Sequence, residues 1–152
     1  MILFKDSVQI KIISSHLTYN IRKKVLWPHI KNNNYELDID DNNTTFHLGA
    51  FLDNTIISIG TFVKEKNPKF SATNQYRLRA MATSKKHRRL GAGKTLFLEA
   101  LRILKLKKVD LLWCDARLNA MPFYKSLNMK SLNEIYEIIN IGPHKTMYIY
   151  LN

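Results

Sequence analysis

Residues 76–104, YRLRAMATSKKHRRLGAGKTLFLEALRIL, decide how this chain is read. From Tyr76 to Thr83, large and small side chains alternate as a strand tolerates. Residues 84–90 then carry the cations Lys85, Lys86, Arg88 and Arg89 beside His87. Gly91 and Gly93 bracket Ala92, and in 94–104 the apolar residues Leu96, Phe97, Ala100, Leu101 and Leu104 recur at helical spacing. The stretch predicts a strand, a basic turn, a glycine pair and a helix. A helix that opens on glycines leaves its first N–H groups unpaired and unobstructed, and its dipole adds partial positive charge there. With the Lys/Arg cluster alongside, this is an anion site, and a phosphorylated ligand suits it.

Two familiar phosphate loops fail on single residues. The triphosphate loop G-x-x-x-x-G-K-[ST] matches at Gly93-Lys94-Thr95 but needs glycine at position 88, which is Arg. The dinucleotide fingerprint G-x-G-x-x-G fails at Leu96. The pattern [Q/R]-x-x-G-x-[G/A] is satisfied by Arg88, Gly91 and Gly93. Here the chain resembles the GNAT superfamily of acetyl-CoA-dependent N-acetyltransferases, in which this loop wraps the coenzyme A pyrophosphate at the start of the central helix.

At 152 residues the chain has the length of one domain, 1–152, with room for a proper core. Its 45% hydrophobic and 24% charged content is ordinary for a globular protein. No apolar run approaches the roughly 20 residues that span a bilayer, and residues 1–10 lack the pattern of a secretory leader. The cytoplasm is the default location. A single cysteine, Cys114, permits no internal disulfide, and no Cys/His spacing supports a metal. The net charge of +12 has two readings: attraction for an anionic partner, or drift toward Lys, Asn and Ile, visible in Lys31-Asn32-Asn33-Asn34.

In chain order, 8–13 predicts a first strand. Residues 16–27 predict a helix with Leu17, Ile21 and Val25 on its apolar face, Arg22, Lys23 and Lys24 on the other, and Pro28 as its stop. Residues 29–43 predict a polar, solvated loop holding Glu36, Asp38, Asp40 and Asp41. Strands at 45–52 and 55–63 flank Asp53-Asn54, a pair that tolerates the positive φ of a tight hairpin. Residues 64–74 connect to the strand–loop–helix, whose helix 105–109 closes on positive charge. A buried strand at 111–115, a short helix at 118–127 and final strands at 131–139 and 145–151 follow, the last two separated by a turn at 140–144. The order is β, α, β, β, β, α, β, α, β, β. It predicts a mixed α/β (α+β) fold with a largely antiparallel central sheet flanked by helices, not a doubly wound one.

That order also resembles GNAT, and the resemblance covers most of the chain. Residues 119–129, Asn-Ala-Met-Pro-Phe-Tyr-Lys-Ser-Leu-Asn-Met, are similar to the family segment A-x-x-F-Y-x-x-x-G-F. Arg117 replaces the Asn usual before it, and Asn128-Met129 replaces Gly-Phe. Asn commonly substitutes for Gly where a left-handed residue is needed. Trp113-Cys114-Asp115-Ala116-Arg117 and Gly142-Pro143-His144 point to a branch with W-C-x-A-R and G-P-H.

The resemblance implies acyl transfer from acetyl-CoA, as cosubstrate, to an amine-bearing acceptor, by direct attack and without a metal. It places the coenzyme along the strand edge Met81, Ala82 and Thr83. It continues through Arg88, Arg89, Leu90, Gly91, Ala92, Gly93, Lys94 and Thr95, and reaches Asn119, Phe123 and Tyr124. The N–H near Met81 would polarise the thioester carbonyl. Tyr124 matches the family tyrosine that donates to the departing sulfur, and a phenol of pKa about 10 is protonated as that role requires. For the amine's proton, His144 leads because it accompanies a motif, with His47, Glu36 and Glu137 also open. Cys114, inside an apolar run, reads as a buried structural thiol.

Two alternatives stay open: a basic nucleic-acid-binding module, and a non-catalytic acyl-CoA-binding domain. The first lacks aromatic-interleaved strands, a zinc knuckle or helix-turn-helix spacing. A homodimer through the last strands is common for this type of fold and is an expectation here.

Overall fold

The computed structural model describes residues 8–32 and 34–151. The leader reading of 1–10 falls largely outside these residues. Among them, strands β1 (Gln9–Ile13), β2 (Phe46–Leu52), β3 (Thr55–Lys64), β4 (Gln75–Thr83), β5 (Leu111–Arg117), β6 (Lys130–Ser131), β7 (Tyr136–Ile138) and β8 (Gly142–Tyr150) form one sheet. Its order is β1-β2-β3-β4-β5-β8-β6, with β7 also paired to β8. Neighbours are antiparallel except β4 and β5, which run parallel.

Helix α2 (Ala92–Leu106) makes the β4–β5 crossover and closes the main core. Its Leu96, Phe97, Ala100 and Leu104 have no exposed surface and pack with Leu48, Phe62, Leu78 and Leu112 from the sheet. A fully buried side chain of the leucine or phenylalanine kind contributes roughly 1.5–3 kcal/mol, so this stripe anchors the helix on the sheet.

Local signals translate directly. Asp53 and Asn54 both take positive φ, 49° and 67°, and close the β2–β3 hairpin. Asn128 takes φ 70° just beyond helix α3 (Met121–Ser126), as its glycine-like position requires.

The sheet splits in the middle. β4 and β5 pair only over Gln75–Arg77 and Leu111–Trp113. Beyond that point β5 stays with β8 as far as Arg117. β4 instead bends at a bulge, where its register skips so that Gly60 of β3 faces both Ala80 and Met81. A bulge sharpens local twist and turns a strand from its neighbour. Ala80 sits there at φ 54°, a left-handed conformation that costs a residue with a Cβ roughly 1–2 kcal/mol. Past Arg77, the β5-facing edge of β4 has no strand partner among the described residues.

Several expectations need correction. The segment 15–26, α1 here, is not a regular α-helix. It passes from a tight 3-10 turn (Ser15–Thr18) through one α turn (Tyr19–Ile21) into a wide π turn (Arg22–Leu26). The inward face is Thr18, Ile21 and Arg22, while Leu17 is exposed. Arg22 is fully buried because Asp40 comes to meet it. Two bonds of 2.8 and 2.9 Å join them, and Tyr35 O and Thr61 Oγ1 take further guanidinium N–H groups. Asp40 is thus a core residue, not part of a solvated loop.

The helix at 118–127 is a 3-10 turn (Leu118–Ala120) followed by the six-residue α3, with Pro122 in its first turn. The strand at 131–139 is two short strands, β6 and β7, both paired to β8. Gly142-Pro143-His144 lies within β8 rather than in the turn before it, because Tyr136 pairs with His144.

Candidate active site

Two cavities meet where the sheet parts. The larger, about 750 Å³, runs from the start of α2 to α3. The smaller, about 170 Å³, lies between β4, β5 and the β7–β8 hairpin. Leu26, Met81, Arg117, Ala120 and Tyr124 line both. Tyr124 therefore stands in the shared wall.

The larger cavity carries most of the expected coenzyme residues: Met81, Ala82, Thr83, Arg88, Arg89, Gly91, Ala92, Gly93, Lys94, Asn119, Phe123 and Tyr124. Leu90 and Thr95 do not line it. Leu90 is exposed, and Thr95 turns its hydroxyl back onto Gly91 O at 2.8 Å.

The helix start offers free donors that could receive an anion. Gly91 precedes α2 at φ 81°, which a glycine reaches freely. The first helical bond is Thr95 N–H to Gly91 O, so the N–H groups of Ala92, Gly93 and Lys94 lie ahead of it. No side chain caps this end, and no acidic residue sits in its first turn. Gly93 keeps the approach narrow: a Cβ there would lie 3.3 Å from Phe123 and 3.4 Å from Thr83 Oγ1.

His87, from the basic loop, also lines the cavity. Its buried Nδ1 has no partner within the described residues. An uncapped helix, a cationic rim and an orphaned ring nitrogen fit the pyrophosphate of coenzyme A. Among the described residues, no group of three or more His, Cys, Asp or Glu is arranged to hold a metal. No helix among them is long and apolar enough to cross a membrane.

Tyr124 is buried, and that burial pushes its phenol well above its ordinary value, with Cys114 adding to the effect and Arg117 opposing it. Cys114 is buried too, its thiol raised by loss of water and by Asp115.

His144 lines the smaller cavity. Its Nδ1 lies 2.7 Å from Gly142 O, so in the neutral ring Nδ1–H donates there and Nε2 carries the lone pair. The other base candidates lie elsewhere. His47 is held by Thr61 Oγ1 at 2.8 Å and Asp40 O at 3.0 Å, which makes it a brace for the Arg22–Asp40 pair. Glu36 and Glu137 are exposed, outside both cavities.

Several residues of the smaller cavity lack a local signal. Arg77 spans Glu65 at 2.9 Å and Asp115 at 2.5 Å and stacks on Trp113. Asp115 also accepts the Tyr136 hydroxyl, which helps to push that phenol up, after burial. Arg117 donates to Leu26 O at 3.0 Å and so ties β5 to the end of α1. Arg79 lines the same space. The alternation of β4 could have placed Arg77 and Arg79 on one face; the partners of Arg77 lie 12 and 38 residues away along the chain.

Residues 14–129 match the acetyltransferase (GNAT) family. A Bacillus subtilis protein described as the uncharacterised N-acetyltransferase YitI is 38% identical over 141 residues, covering 93% of this chain and 95% of that one. Among solved structures, an N-acyl amino acid synthase from uncultured soil microbes, FeeM, superposes with a TM-score of 0.78 at 10% identity, over 95% of this chain and 91% of its own. An aminoglycoside 6'-N-acetyltransferase complexed with coenzyme A gives 0.74 at 11% identity, over 95% and 97%. At such identities these two show a shared fold.

Proposed function

The chain belongs to the acetyltransferase (GNAT) family, and on that premise we propose that it moves an acetyl group from acetyl-CoA to the amine of a small acceptor by direct attack in a ternary complex. The observation that carries this reading is the pair of cavities joined at Tyr124. One is long, with a cationic, glycine-opened end. The other is small, and the two share a wall where the sheet splits.

When bound, acetyl-CoA supplies an electrophilic thioester and a thiolate leaving group. The acceptor nitrogen forms a bond to the thioester carbon, the C–S bond breaks, and the amine loses one proton. Around that step the chain's residues have separate tasks. The helix start and Arg88, Arg89 and Lys94 hold the pyrophosphate. The unpaired edge of β4 near Met81 orients the acyl arm and polarises its carbonyl. Tyr124 keeps its proton across the working pH range. With its pKa raised and a thiol's near 8.5, it stabilises the departing thiolate chiefly as a hydrogen-bond donor. His144, through Nε2, receives the amine's proton.

A thermal melt with acetyl-CoA, with ATP and a short oligonucleotide as controls, is the first test. Ligand at about 100 times its Kd stabilises the native state by roughly 2.7 kcal/mol, a shift of about 5–10 °C for a chain of this size. A shift with the oligonucleotide but none with acetyl-CoA sinks the reading. The second test is CoA release by Tyr124→Phe, expected to fall about 100-fold or more while the acetyl-CoA-induced melt shift is kept. Equal turnover removes Tyr124 from the mechanism.

A further inference from the structure

Arg77, Arg79 and Arg117 line the smaller cavity, Arg22 adds a fourth charge that acts on Arg79, and the carboxylates do not go round. Arg22 has Asp40, with both side chains out of solvent. Arg77 takes both Glu65 and Asp115. Asp115 is further occupied by the Tyr136 hydroxyl. Arg117 has only the carbonyl of Leu26. Arg79, half-buried and lining the cavity, is paired with Thr61 in the sheet register, but its side chain makes no ion pair or hydrogen bond among the described residues.

The guanidinium nitrogens of Arg79 are not among the sealed, unpartnered polar atoms of the described residues, so it meets the solvent of the cavity, where an anionic ligand could replace water as its partner. The neighbourhood is unfavourable to its charge. Burial first, then the Arg77 charge, disfavour its protonated form, with Arg22 acting in the same sense and Glu65 and Asp115 only partly offsetting them. A negative charge delivered into the cavity would satisfy it. The planar fork of a guanidinium suits a carboxylate in a bidentate pair.

We propose that the smaller cavity takes an acceptor bearing both an amine and a carboxylate, an amino acid in class, and that Arg79 binds the carboxylate. This rests on the transferase reading and names its substrate class. The cavity, at about 170 Å³, admits a small molecule. Leu26, Trp27, Ile138 and Ile141 give it apolar walls for a side chain. Tyr124 and His144 line the same cavity as Arg79, so an acceptor anchored there by its carboxylate shares that space with both. The arginines also repel polycationic amines. Arg79 is thus a specificity-determining residue.

The test uses matched pairs of L-amino acids and their carboxamides, with phosphoethanolamine as a different anion, in two readouts. Ligand-observed NMR on the CoA-saturated protein measures binding whether or not turnover occurs. Wild type is expected to bind carboxylates at least 30-fold tighter than the carboxamides. Arg79→Gln should collapse that ratio toward one, and Arg79→Lys should restore part of it. Equal binding of carboxylate and carboxamide by wild type overturns the proposal, as does an unchanged ratio in Arg79→Gln. Phosphoethanolamine binding tighter than any amino acid overturns the carboxylate assignment. CoA release, followed with a thiol reagent, reports separately on the transferase reading. Turnover on carboxamides and polyamines equal to that on amino acids leaves the enzyme standing and removes the anion pocket.

Discussion

Removing Asp40 strands a charge in the core, and the size of the effect can be worked from its contacts. In Asp40→Ala, Arg22 loses both bonds to the carboxylate, and the Leu37 N–H loses its 2.9 Å acceptor. The guanidinium keeps only Tyr35 O and Thr61 Oγ1. Exposures of 0% and 3% for the two side chains place the pair among buried ones, for which loss of one partner costs about 3–5 kcal/mol. That is a large part of the ~5–15 kcal/mol total of an ordinary domain. At about 2–4 °C per kcal/mol for this size, the melt should fall by roughly 6–20 °C. Arg22→Met/Asp40→Leu, which removes both charges, should recover most of the loss, since a well-packed apolar pair often matches a buried ion pair.

The pH dependence has a definite sign. Burial alone would raise the Asp40 carboxyl, but the bonds from Arg22 and Leu37 and the Arg22 charge outweigh it and hold the pKa below its ordinary value. The pair's contribution is therefore complete above the unfolded pKa, near 3.9, and is lost as pH falls through the lower folded value. Melts from pH 7 to 3 should show an acid limb in wild type that is shallower in Asp40→Asn. An Asp40→Ala melt within 2 °C of wild type, or parallel acid limbs, would refute the reasoning. Function is tied to the same pair: it holds the segment that brings Leu26 and Trp27 to the cavity walls, so Asp40→Ala should also raise KM for the acceptor.

Gly91→Val should lose about 1–2 kcal/mol from the left-handed backbone alone, since a Cβ there meets nothing. It should also raise the Kd for acetyl-CoA in titration calorimetry; unchanged affinity would detach the helix start from the coenzyme. Cys114, buried with its thiol pushed up, should stay unreactive to an aromatic disulfide at neutral pH until urea unfolds the chain, and rapid native labelling would contradict its burial. His144→Ala should depress kcat with little change in the Kd for acetyl-CoA, while an unchanged rate would remove it as the base.

Much of this protein was legible one window at a time. The strand, basic loop, glycine pair and helix of 76–104 follow from side-chain period and from the freedom of Gly91, both properties of neighbouring residues. The same holds for the Asp53-Asn54 hairpin and the left-handed Asn128. Tyr124 was found through a motif, and the structure places it in the wall common to both cavities. The misreadings concern groups whose partners lie far along the chain. Arg22 looked solvated because Asp40 is 18 residues away and Thr61 is 39 away. His47 stood open as a base because Thr61 and the Asp40 carbonyl reach it only in the folded chain.

Spacing and propensity determined most of the strands, helix α2 and its open, glycine-led start, because those depend on what a backbone can do within a turn or two. Only the tertiary structure decided which charges are satisfied, that β4 and β5 part after three paired residues, and that Arg79 lines a cavity whose Asp115 is already taken by Arg77 and Tyr136. Compensation of a charge depends on distance through space, and that distance exists only after the sheet has closed.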